Sequence, residues 1–230
     1  MNTNRKIAII VGVLYIIGTV AGILSFVFAG SILDDPDYLV EVSANENQII
    51  IGALLVLIMG FALAMVPAML FPIFKKQNEP LALGAVIFRG VLEAVAYIAT
   101  VIVWLLLLTL SREYVKAEAP DASYFQTTGT LLLEAVDWIE ALLAIVFSIG
   151  ALMIYYLFYQ STLIPRWLSV WGLIGGILYL SVPLLGMFGS ELGILMAPLA
   201  LQEMVLALWL IVKGFNPSAI APESAKVDMS

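Results

Sequence analysis

Six ionisable residues lie inside long apolar stretches of this 230-residue sequence. A charged side chain at the centre of a membrane-spanning helix costs about 2.5–3.5 kcal/mol, so such residues are expected to face the interior of a helix bundle. The chemistry open to them there is ion pairing, proton transfer or the binding of a cation. The six candidate site residues are Arg89, Glu93, Glu134, Asp137, Glu140 and Glu203.

Arg89 is the one cation among the six, and it is therefore the predicted centre of a buried cluster. Glu93 follows it by four positions, which places both side chains on one face of a helix. We expect Glu140 and Glu203 to approach Arg89 from other helices, because a rise of 1.5 Å per residue puts them near the same depth. One guanidinium can fork to two carboxylates. The remaining acids need a proton, water, a bound cation or a cationic ligand.

The three acids of the fourth apolar stretch accompany a seam of polar and small residues. Asp137 is expected near the depth of Arg89, Glu134 nearer the outer face of the membrane, and Glu140 on the flank of the seam. A seam of this kind packs against other helices. The alternative for the whole cluster is that its polar residues set helix register and bind no ligand. The seam consists of Thr130, Glu134, Asp137, Ala141, Ala144, Ser148, Ala151 and Tyr155.

The sequence contains no cysteine and no histidine. Disulfides, zinc–thiolate sites, haem ligation by these residues and histidine-based acid–base catalysis are therefore excluded. Paired carboxyl groups could act as acid and base, but Asp137 is the only aspartate within a predicted span. We therefore predict no catalytic residue, no metal site and no cofactor, and we do not expect an enzyme. A net charge of −7, with no basic run longer than Lys75-Lys76, argues against nucleic-acid binding.

The elements that must position these residues are transmembrane helices. Hydrophobic residues make up 63% of the chain and charged residues 12%, whereas soluble domains have roughly 45–50% and about 25%. A helix needs about 20 apolar residues to cross a bilayer. The sequence predicts an all-α integral membrane protein with six spans, at about 7–30, 49–74, 81–110, 128–159, 167–188 and 192–212. These spans form one domain, residues 1–214, and residues 215–230 are expected to be a disordered tail.

Local signals indicate where these helices begin and where they pack. Ser43, followed three residues later by Glu46, predicts a capping box at the start of the second span. Two glycine pairs with a spacing of four favour close approach between helices. These pairs are Gly18 with Gly22 and Gly172 with Gly176.

Basic residues are concentrated on one side of the predicted spans. Only Arg112 and Lys116 fall on the opposite side. By the positive-inside rule the basic side is cytoplasmic, so both termini and the tail are expected there. The protein is thus expected to be a multi-pass protein of the cytoplasmic membrane, with the lipid bilayer as its main partner. The basic residues on the cytoplasmic side are Arg5, Lys6, Lys75, Lys76, Arg166, Lys213 and Lys226.

Several groups of residues together resemble a known family. In the spans they are Phe88-Arg89 with Glu93, the run Ile164-Pro165-Arg166-Trp167-Leu168 with Gly172, and Glu203 with the run Leu208-Trp209-Leu210-Ile211-Val212-Lys213-Gly214-Phe215. In the loops they are Ser43-Ala44-Asn45-Glu46-Asn47-Gln48 and Pro120-Asp121-Ala122-Ser123-Tyr124. The pattern resembles a prokaryotic multi-pass membrane family catalogued as domain of unknown function 4386, over nearly the whole chain. The resemblance implies a small inner-membrane protein and carries no catalytic residues.

Two functions are compatible with this sequence. The excess of acid over base at membrane depth favours proton- or cation-coupled transport through the buried carboxyl groups. The alternative is a non-catalytic binding or accessory protein whose bundle holds a small cationic ligand, a lipid-like amphiphile or a partner helix. A structure distinguishes these hypotheses by showing which of the six residues meet and whether they border a cavity.

Overall fold

The computed structural model of the chain describes residues 3–116, 122–190 and 192–220. Within these residues every regular element is a helix, as expected where lipid offers the backbone no hydrogen-bond partners. A π-helical segment, Val86–Leu92, joins α4 to α5, and a short 3₁₀ helix, Gly193–Met196, precedes α8. The α-helices are α1 (Thr3–Leu33), α2 (Tyr38–Ala44), α3 (Glu46–Phe74), α4 (Glu79–Ala85), α5 (Glu93–Tyr114), α6 (Ala122–Ser161), α7 (Arg166–Gly186), α8 (Ala197–Val212) and α9 (Pro217–Ile220).

Six helical segments of the described chain are long and apolar enough to cross a membrane. This result confirms the all-α fold class and the number of spans. The segments are longer than predicted at several ends, and the third and fourth, Glu79–Tyr114 and Ser123–Ser161, are the longest. The cytoplasmic position of the termini rests on charge distribution alone and stays a prediction.

The six spans close into a ring. Along the ring, α1 packs against α3, α3 against α5, α5 against α6, α6 against α7, α7 against α8, and α8 returns to α1. The π-helical segment of the third span contacts both α3 and α6. The ring therefore has an interior that side chains from different spans can share.

The third span changes its helical geometry at Arg89. The π-helix Val86–Leu92 contains Arg89 and Gly90, both buried, and the α-helix resumes at Glu93. Short π-helical segments inside α-helices are rare and are found frequently at functional sites. No sequence signal predicted this segment.

The predicted capping box before the second span is wrong. Ser43 lies inside the short helix α2, and Asn45 is the residue that precedes α3. The side chain of Asn45 accepts no hydrogen bond from the first turn of α3; its Nδ2 atom donates back to the backbone oxygen of Glu41 at 2.9 Å. The spacing of Ser43 and Glu46 imitated a capping box across the junction of two helices.

Both glycine pairs lie at helix contacts. Gly18 and Gly22 of α1 lie against side chains of α3, and Gly172 and Gly176 of α7 lie against side chains of α6. At each position an added Cβ atom would overlap the neighbouring helix's side chain. The glycines therefore permit the close approach on which the ring depends.

The ordered chain continues past the start of the predicted tail. Phe215 is 7% exposed and packs near Phe158 of α6. The backbone N–H of Asn216 donates to the oxygen of Leu163 at 2.8 Å, and the short helix Pro217–Ile220 follows. Residues 221–230 lie outside the described residues.

Candidate functional site

Three of the charged residues meet in the interior of the ring. Arg89 is 1% exposed, and its Nη1 atom donates to Oε1 of Glu93, one turn further along the third span. Its Nη2 atom donates to Oε1 of Glu203 on α8 at 3.1 Å. Glu93 is also 1% exposed, and the side chain of Glu203 is 12% exposed. We call Arg89, Glu93 and Glu203 the Arg89 cluster; its ion pairs tie the third span to the sixth.

Helix α6 supports the Arg89 cluster from a third direction. The ring of Phe147 lies 4.2 Å from the guanidinium carbon of Arg89, a distance at which the face of an aromatic ring attracts a cation. Gly150 lies directly against the Arg89 backbone, since a Cβ added there would fall 2.6 Å from the Arg89 nitrogen. The absence of a side chain at Gly150 therefore lets α6 approach the π-helix closely enough to place Phe147 on the cation.

Tyrosines from several helices surround the Arg89 cluster. Tyr15 of α1 and Tyr155 of α6 are fully buried and interact electrostatically with Glu203. Tyr97 of α5 and Tyr179 of α7 interact in the same way with both carboxylates of the cluster. Hydroxyl groups at this depth are usually hydrogen-bonded, and they can relay protons between carboxyl groups. Phenol groups from four helices thus lie within electrostatic range of the cluster.

The Arg89 cluster retains unused hydrogen-bonding atoms. Within the described residues, the Nε atom of Arg89 and the Oε2 atom of Glu93 have no hydrogen-bond partner. Buried polar atoms of this kind are rare in proteins, and each needs a specific explanation. Exchange of a proton or contact with a transient ligand would use atoms such as these.

A cavity of about 1150 Å³ opens beside the cluster. It lies between the C-terminal end of α1, the first half of α6, the end of α7 and the segment before α8. Its wall is mainly apolar and aromatic, and it includes Trp104, Trp138, Tyr97 and Tyr179. Because the last two spans are the shortest, with 21 and 20 residues, they leave room where α8 begins. We call this space the acidic cavity, because two carboxyl groups line it.

Asp137 and Glu140 line the acidic cavity. Both side chains are exposed, and neither is in an ion pair within the described part of the chain. Asp34, in the turn after α1, lies within electrostatic range of Glu140. The cavity therefore presents two carboxyl groups to any molecule that enters it.

The six candidate residues lie at three locations in the structure, whereas all of them except Glu134 were predicted near one depth. Arg89 meets α6 at Phe147 and Gly150, which lie seven and ten residues beyond Glu140, or about 10 to 15 Å along the helix. Glu140 is therefore not an ion-pair partner of Arg89, and it lines the cavity with Asp137. Glu134 is exposed one turn before Asp137 and is not among the lining residues.

Several site residues were missed at the sequence level. Tyr15, Tyr97 and Tyr179 each lie well inside a predicted span, among mainly apolar residues. A hydroxyl at that depth needs a polar neighbour, so these tyrosines were the available signal. Gln202 gave a similar signal beside Glu203; it is fully buried, and its Nε2 atom donates to the oxygen of Leu168 at 3.0 Å.

The described residues contain no group of three or more carboxylate, histidine or cysteine side chains that could hold a metal ion. A sequence model of the family described as Domain of unknown function (DUF4386) matches residues 10–214. No curated protein and no solved structure matches the chain. The matched residues include both the Arg89 cluster and the acidic cavity.

Proposed function

The chain belongs to the family described as Domain of unknown function (DUF4386), and we propose that it binds an organic cation with an apolar body inside the membrane. The observation that supports this proposal is the acidic cavity, where Asp137 and Glu140 line a mainly apolar space without a paired cation in the described residues. A carboxylate in a membrane protein is stabilised by a partner or by water. A cationic ligand supplies that partner.

The wall of the acidic cavity suits such a ligand. Its volume of about 1150 Å³ is slightly above the roughly 300–1,000 Å³ usual for small-molecule sites, so a molecule of that size fits. The faces of Trp104 and Trp138 can attract a cationic group, and the surrounding apolar side chains can bury a hydrocarbon body. Anionic molecules would be repelled by the carboxylates, so the chemistry selects a cationic amphiphile.

Arg89 does not pair with the carboxyl groups of the acidic cavity. Both terminal nitrogens of Arg89 already donate to Glu93 and Glu203. The phenol groups of Tyr97 and Tyr179 are shared by the cavity wall and the surroundings of the cluster. Within the described residues the two carboxyl groups of the cavity therefore have no fixed cation, and a cationic ligand would supply one.

Asp137→Asn with Glu140→Gln is expected to weaken binding of tetraphenylphosphonium, a lipophilic cation, by about tenfold or more, because charge attraction at a partly buried site exceeds 1 kcal/mol. Equilibrium dialysis of the radiolabelled probe against detergent-purified protein measures the effect. Glu134→Gln removes a carboxylate from the same helix but not from the cavity wall, and it should bind the probe as the unmodified protein does. Equal affinity of the double variant and the unmodified protein would contradict the proposal.

A second candidate function is the passage of protons or cations through the buried carboxyl groups. One observation favours it: Tyr97 and Tyr179 line the acidic cavity and also lie in electrostatic range of Glu93 and Glu203. A chain of titratable groups thus extends from Glu140 in the cavity to the Arg89 cluster. Carboxyl groups arranged in series are typical of proton relays in transporters.

Proton or cation passage predicts that Glu93→Gln, Glu140→Gln and Glu203→Gln each lower flux in proteoliposomes. A glutamine keeps the shape of the side chain but cannot gain or lose the proton. Flux is measured with a pH-sensitive dye trapped in the vesicles after a pH jump, with Glu134→Gln as the matched control. Unchanged flux in all three variants, or no flux through the unmodified protein, would rule out this function and leave cation binding intact.

A further inference from the structure

A second pocket, of about 470 Å³, lies at the opposite end of the bundle from the acidic cavity. It forms where the turn between α6 and α7 meets the end of α8. Arg166, Lys213 and Trp209 line it, together with the backbone turns around Thr162 and Gly214. Neither Arg166 nor Lys213 is in an ion pair within the described residues. We call this space the basic pocket.

The walls of the basic pocket are held in place by the backbone. Thr162 and Gly214 have positive φ angles of 53° and 74°, so the chain turns sharply on both sides of the pocket. The N–H of Asn216 donates to the oxygen of Leu163 at 2.8 Å and joins the two turns. The pocket is therefore a preformed feature of the fold.

The two cations of the pocket are available to an anion. Arg5 donates hydrogen bonds to the last carbonyl groups of α8: Nη1 to the oxygen of Leu210 at 3.0 Å and Nη2 to the oxygen of Ile211 at 2.6 Å. These carbonyl groups would otherwise attract Lys213. The guanidinium of Arg166 lies 5.7 Å from the ring centre of Tyr159, which orients the group without neutralising it. Helix α7 begins at Arg166 with no capping side chain, so its positive end adds to the same field.

The surroundings of the basic pocket are those of a membrane interface. The ring of Trp209 meets that of Trp167 edge to face at 6.4 Å, and Trp167 stacks with Trp171 at 6.3 Å. Tryptophan belts of this kind lie at the level of lipid headgroups. Trp167 and Val212 expose apolar surface beside the pocket, where acyl chains could lie. A phosphate group in the pocket would thus lie at headgroup depth with its chains along the bundle.

We propose that the basic pocket binds the phosphate group of an anionic phospholipid, through Arg166 and Lys213. Basic pockets between helices at the membrane surface bind lipid phosphates in this way, and each cation near the surface contributes about fivefold to binding. The site is separate from the acidic cavity and takes a ligand of opposite charge. It is independent of the proposed function.

Native mass spectrometry of the detergent-purified protein tests the proposal. With added dimyristoyl phosphatidylglycerol, the Arg166→Gln/Lys213→Gln variant is expected to retain the lipid about 25-fold more weakly than the unmodified protein, and each single variant about fivefold more weakly. The side chains of Arg166 and Lys213 are exposed, so their replacement should leave the fold intact. If the double variant is nevertheless unstable, the lipid retention of the two single variants still tests the proposal. Lys76→Gln, an exposed lysine on the same predicted side but outside the pocket, is the control and should retain the lipid normally.

Two further measurements in the same experiment identify the class of ligand. Dimyristoyl phosphatidylcholine has the same chains but no net charge, and it should be retained weakly and equally by all variants. Millimolar inorganic phosphate should fail to displace phosphatidylglycerol from the unmodified protein. Normal retention of phosphatidylglycerol by the double variant, equal retention of the two lipids, or displacement by phosphate would each overturn the assignment to an anionic lipid.

Discussion

Replacing Arg89 with leucine is expected to destabilise the protein more than replacing any other single charged residue in the described chain. The substitution leaves the carboxylates of Glu93 and Glu203 inside the ring without their cation. Breaking a buried ion pair by removing one partner costs about 3–5 kcal/mol, because the remaining charge has lost its compensation. For a chain of this size that corresponds to a fall of about 10 °C in the unfolding temperature. Size-exclusion chromatography of heated samples in detergent measures this shift.

Arg112→Leu is the matched control for Arg89→Leu. Arg112 also forms a close ion pair, with its Nε atom 2.7 Å from Glu46, but its side chain is 45% exposed. Exposed ion pairs contribute about 1 kcal/mol or less, so this variant should unfold within a few degrees of the unmodified protein. Equal expression and equal unfolding temperatures for the Arg89 and Arg112 variants would contradict a stabilising role for the Arg89 cluster.

A triple variant separates charge from packing. In Arg89→Leu/Glu93→Leu/Glu203→Leu no buried charge remains in the cluster, and replacing a whole buried ion network by apolar residues is often neutral. We expect the triple variant to recover most of the stability that Arg89→Leu loses. If it does not, the guanidinium's contact with Phe147, rather than the compensation of the carboxylates, accounts for the loss.

The Arg89 cluster shows how far sequence reasoning reaches in a membrane protein. The spacing of Arg89 and Glu93 defines a shared helix face whatever the rest of the fold does, and the two side chains are joined in the structure. The ion pair between Arg89 and Glu203 could be predicted only by assuming that opposite charges buried in the membrane pair with each other. The cost of an isolated charge in hydrocarbon is the physical reason for both contacts.

The position of Glu140 could not be predicted because it depends on where the helices start. The depth estimate took residue 128 as the first residue of the fourth span, whereas α6 begins at Ala122 and is 40 residues long. An error of six residues displaces a side chain by about 9 Å along the axis. Counting from a helix end therefore does not fix the depth of Glu140 relative to Arg89, and the structure places Glu140 about 10 to 15 Å nearer the start of α6, in the wall of the acidic cavity.

The spacing of polar and small residues along α6 did not predict the acidic cavity. The seam of α6 was predicted to pack along its whole length, and its second half does: Ala144, Ser148, Ala151 and Tyr155 are buried. In its first half, Asp137 and Ala141 line the cavity. Small and polar residues suit a helix contact and a cavity wall equally well, so the pattern alone cannot separate them.

Replacing Gly150 with valine is the second large effect that we expect. A Cβ added at Gly150 would lie 2.6 Å from the backbone nitrogen of Arg89 and 2.7 Å from its Cβ atom. These atoms belong to the π-helix Val86–Leu92, and they cannot move aside as the end of a flexible side chain could. Overpacking a tight contact costs about 1–3 kcal/mol, and a branched side chain against backbone should reach the upper end of that range.

Gly186→Val is the control, because nothing lies within 4 Å of a Cβ added at Gly186. It shows whether valine destabilises the protein at any helical glycine or only at the contact between Gly150 and Arg89. We expect Gly186→Val to unfold near the temperature of the unmodified protein and Gly150→Val to unfold about 10 °C lower. Gly150→Ala should fall between them, because it adds the clashing atom without the branches. Since Gly150 touches Arg89 but carries no charge, a loss of stability there ties the cluster to the packing of α6 on the third span. Wild-type stability in both Gly150 variants would show that these helices are further apart than the structure places them.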